Sequence, residues 1–118
     1  MKKIQWFKDF HLGWVDLFAA ALESSHFDAR NCVYIIWING SGRRILSTGT
    51  GAIRHALEQR RQSAALAPFR DQKVVVSWIV VPPEEQDGIR RFLHELLRPE
   101  LDNGWSSLDE PIPVQSLP

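Results

Sequence analysis

The chain has one cysteine, one methionine and one tyrosine in 118 residues, no excess of charge of either sign, and no apolar run long enough to span a membrane. Each shortage removes a class of function. A single thiol, Cys32, cannot form an internal disulfide or a cysteine-based zinc cluster, and its setting in an apolar stretch marks a small buried hydrophobe. A reducing compartment fits that usage. Lys8, Asp9 and His11 interrupt what would have to be the apolar core of a signal segment after Lys2 and Lys3, so a cytoplasmic protein is expected, with no membrane association. The balance of 14 basic and 14 acidic side chains excludes a generally cationic body that coats DNA. His11, His26, His55 and His94 stand too far apart for a metal-ligand spacing, and no serine sits in a nucleophile-elbow sequence.

What is present reads as one domain with one core. Leu12, Val15, Leu17, Phe18, Ala21 and Leu22 recur at mostly helical spacing and predict a first helix over 11–23. Ser24, Ser25, Asp28 and Asn31 mark a loop. Val33, Ile35, Ile36 and Ile38 are β-branched, Asn39, Gly40, Ser41 and Gly42 form a turn, and a second run covers 44–48. Gly49 and Gly51 then let the chain bend into a second amphipathic helix over 52–66, leaving amides at its start where an anion could sit. Residues 73–81 are the clearest strand, ended by Pro82 and Pro83, and a third helix runs from there to about residue 97. After Gly104 a tail punctuated by Pro111, Pro113 and Pro118 wraps with few regular elements. The expected fold is α+β, a small, mostly antiparallel three-stranded sheet flanked by helices. Trp6, Phe7, Phe10 and Trp14 are read first as core packing and second, with the tail, as a surface for a larger protein partner.

Cys32-Val33-Tyr34, then Ser47-Thr48-Gly49, in a hairpin that feeds a helix, resembles the start of the GIY-YIG nuclease superfamily. The resemblance covers roughly residues 31–104. It implies a GIY-YIG-like domain there, with residues 1–30 as a helical extension packed on it and 105–118 as a proline-rich tail of the same globular unit.

The departures steer the functional expectation. In that family a tyrosine begins the second triplet, an arginine follows on the next helix, and a glutamate on a later helix holds one divalent metal. Here Ser47 replaces the tyrosine, Ala56 falls at the arginine position with Arg54 and Arg60 nearby, and Arg90 stands at the glutamate position. A cation cannot ligate a hard divalent ion. The leading expectation is therefore a catalytically degenerate module without a cofactor that binds DNA or RNA, or scaffolds a protein. Its phosphate-binding surface would be built from Arg43, Arg44, Arg54, Arg60, Arg61, Arg90 and Arg91. The alternative is a divergent endonuclease needing Mg²⁺ or Mn²⁺, in which Tyr34, Arg54 and His55 are catalytic and Glu95 holds the metal, with Glu100, Asp102 and Asn103 as further oxygen donors. A purely structural subunit of a larger complex is the third.

Overall fold

Seven consecutive residues, 32 to 38, are buried on one strand, and because strand side chains alternate, both faces of the sheet must be covered. The computed structural model describes residues 4–8, 13–40 and 42–118 and places one helix on each face. Its elements are β1 (Val15–Asp16), β2 (Cys32–Asn39), β3 (Arg43–Gly51), α1 (Ile53–Arg61), β4 (Val74–Val80) and α2 (Gln86–Leu97). All strands pair antiparallel in the order β1-β4-β2-β3. Cys32, Tyr34, Ile36 and Ile38 pack with Ile53 and Leu57 of α1, and Val33, Ile35 and Trp37 pack with Ile89 and Leu93 of α2.

The sheet has four strands, not the expected three. The addition is β1, and it replaces the helix expected over 11–23: among the described residues 13–23 there is a strand followed by turns, and the first 30 residues carry no described α-helix. Val15 and Leu17 are buried while Asp16 is exposed, which is strand alternation. The Asp16 carboxylate accepts the amides of Phe18 at 2.9 Å and Ala19 at 3.0 Å, closing a turn where a helix would continue. Carbonyls that a helix would satisfy internally are taken by arginines of α1. Arg61 donates to Leu17 O at 2.7 Å and to Ala20 O, and Arg54 to Leu22 O and Ser24 O.

The second helix also ends sooner than its pattern suggests, at Arg61 rather than 66. Pro68 cannot continue it, and the chain leaves through tight turns in which Ser63 N donates to Arg60 O and Leu66 N to Ser63 O. Leu66 is nevertheless fully buried. The anion seat expected at the start of α1 is partly filled, because Ile53 N donates to Ala29 O at 3.1 Å.

The tail crosses α2 at Gly88, where a Cβ would come within 2.6 Å of Glu110 O, and Ile112 N donates to Gly88 O at 2.9 Å. Helix glycine is costly, and here close chain crossing requires it. Val114 is buried on the α2 side beside Trp6, whose indole donates to Ser116 O at 2.9 Å. Phe7 stacks on Trp78 and Trp14 meets Trp37 edge-on. Trp6 and Trp14 thus join the core assembly, whereas Phe10, His11 and Ser41 lie outside the described residues. No described helix is long and apolar enough to cross a membrane.

Candidate functional site

A bulge sets the site up. Ile36 pairs with Ser47 and Trp37 with Ile45, so Leu46 is the extra residue in β3. The carbonyls of Ile45 and Leu46 both accept amides from the segment after α2, Glu100 N at 3.0 Å and Leu101 N at 2.8 Å. That segment covers the outer edge of the sheet and delivers Asp102 beside Ser47 and Thr48.

Asp102 is buried, and its carboxylate is filled by the strand. Ser47 Oγ donates to Oδ1 at 2.7 Å, while Thr48 N and Thr48 Oγ1 donate to Oδ2 at 2.7 and 2.9 Å. Arginines close on this strand from both helices. From α1, Arg60 Nη1 donates to Ser47 Oγ at 2.9 Å and Arg60 Nε to Tyr34 Oη at 3.3 Å. From α2, Arg90 Nε donates to Thr48 Oγ1 at 3.2 Å, and its Nη2 stands 3.9 Å from Asp102 Oδ2. The Arg90 guanidinium lies 4.0 Å above the Trp105 ring, on which a weakly hydrated cation stacks well.

Burial lowers the Arg90 pKa from its ordinary value; Asp102 pulls it back up, and nearby Arg60 pushes it further down. Arginine stays protonated under such pressure. Arg60, Arg90 and Asp102 together carry one net positive charge beside Tyr34, and Asp87 is a further acid acting on Arg90. The arrangement can hold an anionic oxygen. The Asp102 carboxylate is already occupied by three donors, and among the described residues no group of three or more His, Cys, Asp or Glu could hold a metal ion.

The expected arginine face is divided. Only Arg60 and Arg90 meet. Arg44 is paired with Glu100 at 2.7 Å, a bond that holds the Glu100 carboxyl below its ordinary pKa. Arg43 lies over Trp37, Arg54 pairs with Asp28 and Arg61 caps the 17–20 turn. Arg91 binds Glu95 and Asp109 O. The alternative catalytic set is not assembled around Tyr34 either. Arg54 faces the 22–28 segment, His55 is exposed on a cleft with Asp28, Arg30 and Glu58, and Glu95 sits beyond the cluster on the last turns of α2.

Thr48 and Trp105 are the site residues that sequence reasoning passed over. A threonine inside a strand and a tryptophan in a tail carry no local signal of their partners. Asp102 was legible only as one of several acids following a helix. Comparison with protein-family models, with curated proteins and with solved structures finds no match to this chain.

Proposed function

We propose that the chain is a GIY-YIG-like domain with a degenerate site that binds nucleic acid through a backbone phosphate at Arg60 and Arg90 and does not cleave it. The observation that carries this reading is Arg90. It occupies the position the resemblance gives to a metal-holding glutamate, and it stands with Arg60 on either side of the β3 edge near Tyr34. Cations in place of the metal ligand favour holding a phosphate over hydrolysing it. Tyr34 Oη accepts from Arg60, so its own proton is available to a phosphate oxygen.

The cluster is small, and that sets the expected behaviour. Two arginines on phosphates give a salt slope of about −2 on logarithmic axes, far shallower than a broad basic face would give. Filter binding and gels with single- and double-stranded DNA and RNA, in Mg²⁺, Mn²⁺ and chelator, test it. Binding without cleavage, weakened by Arg60→Gln and by Arg90→Gln but not by Arg43→Gln, supports the reading. Metal-dependent cleavage that disappears in Tyr34→Phe would establish the nuclease instead, and an absence of binding would move the search to protein partners.

A further inference from the structure

Arg98 ends α2 in the left-handed region, at φ 48° and ψ 65°, and is the one described non-glycine residue with positive φ. Glycine is the usual occupant of such a position, and Pro99 further restricts the residue before it. What arginine adds over glycine is its guanidinium. That group has no hydrogen bond, ion pair or ring contact with any other described residue. It lines a cavity of about 440 Å³ together with His94, Glu95, Pro99 and Asn103. The size lies within the range of roughly 300–1,000 Å³ of small-molecule sites.

The polar groups at this cavity are of two kinds. Arg98 supplies an unspent positive charge. Glu95 and the end of α2 supply acceptors: Pro99 has no N–H for the Glu95 carbonyl, and the Glu100 amide that would serve Leu96 goes instead to Ile45 O. His94 Nδ1 is buried without a hydrogen-bond partner, its ring edge-on to Trp105 at 5.1 Å. That atom is closed off from the cavity, so His94 contributes its ring wall to the site and no hydrogen bond. A bare anion would satisfy Arg98 and be repelled by the acceptors, whereas an anion on a body bearing hydroxyl donors would satisfy both.

We propose that this cavity binds a phosphate ester of a hydroxyl-bearing body, of nucleoside-monophosphate size. Arg98 takes the phosphate, and the carbonyls ending α2, with the Glu95 oxygen that Arg91 leaves open, accept the hydroxyls. The proposal does not rest on the reading of Arg60 and Arg90.

Calorimetric titration of the full chain with adenosine 5′-monophosphate, ribose 5-phosphate, inorganic phosphate and adenosine tests it. Both esters should bind one site at least tenfold more tightly than phosphate or adenosine. Arg98→Gly separates function from folding, because glycine fits the left-handed position. The variant should melt at a higher temperature and bind adenosine 5′-monophosphate at least tenfold more weakly, whereas Arg60→Gln should bind it as the parent does. The proposal is overturned if neither ester binds saturably or if phosphate binds as well as the esters. It is equally overturned if Arg98→Gly retains full affinity or if Arg60→Gln abolishes it.

Discussion

Gly49 and Tyr34 are partners across β2 and β3 with no room between them for a methyl group: a Cβ on Gly49 would stand 2.1 Å from Tyr34 Oη and 2.2 Å from its Cζ. The missing side chain is what lets the tyrosine ring lie along the strand and carry its hydroxyl to Arg60. Gly49→Ala should therefore cost about 1–3 kcal/mol, the range for overpacking a core. The cost should fall in the background of Tyr34→Ala, with a coupling above about 0.5 kcal/mol in a double-mutant cycle from urea denaturation. Simple additivity of the two substitutions would refute the clash.

Glu100 and Asp102, two residues apart after α2, do different work. Asp102 holds two hydroxyls and an amide of β3 in a buried setting beside Arg90, whereas Glu100 pairs with Arg44 in solvent. Asp102→Ala leaves three donors of β3 unpaired and takes away the carboxylate beside Arg90, and should lower stability by about 3–5 kcal/mol, as losing one partner of a buried pair does. Glu100→Ala should leave the urea midpoint nearly unchanged, since exposed pairs contribute little. Equal effects of the two substitutions would mean that the Asp102 cluster is not a stabilising unit.

Arg54 and Arg61 hold the 17–24 segment by its carbonyls. Removing the Arg61 guanidinium leaves Leu17 O and Ala20 O without their donors and should cost about 1–3 kcal/mol, the scale of charge-assisted hydrogen bonds. Amide exchange should accelerate first around residues 17–24 in Arg61→Ala, with β2 and β4 still protected. Unchanged exchange in that segment would show that the carbonyls find other donors readily.

This same segment marks the limit of what the sequence discloses. The hairpin and α2 are legible because their signals are local: β-branched runs around glycine-rich turn residues, and apolar residues at Ile89 and Leu93 one turn apart. The 13–23 segment has apolar spacing compatible with a helix, yet its fate is set by Val15 pairing with Val76 and by an arginine 44 residues from Leu17. The site divides in the same way. Tyr34 and Gly49 stand out in their strands, but the bond from Ser47 to Asp102 spans 55 residues and has no sequence pattern. The seven arginines counted as one face have different neighbours for a related reason. A guanidinium satisfies backbone carbonyls as readily as phosphates, and only the fold decides which it meets.

Cys32 makes the stability of the fold depend on pH. Its residue is fully buried between β3 and β4, and desolvation pushes the thiol from 9.0 up to about 11, against a smaller lowering by a hydrogen bond from the Ile53 amide. The folded chain thus keeps its thiol proton to a higher pH than the unfolded chain does. The associated stability is fully present below about pH 9 and is lost as pH rises toward 11, by at most about 3 kcal/mol for a shift of this size. Urea midpoints measured at pH 7, 9 and 10.5 should fall over the last step in the parent chain and fall less in Cys32→Ala. The same burial should make the thiol react with a disulfide reagent at pH 8 only as fast as the sheet opens, so that added urea below the unfolding transition accelerates labelling. Parallel midpoint curves for the two chains, or labelling at the rate of a free thiol, would mean that Cys32 meets water and that folding does not raise its pKa.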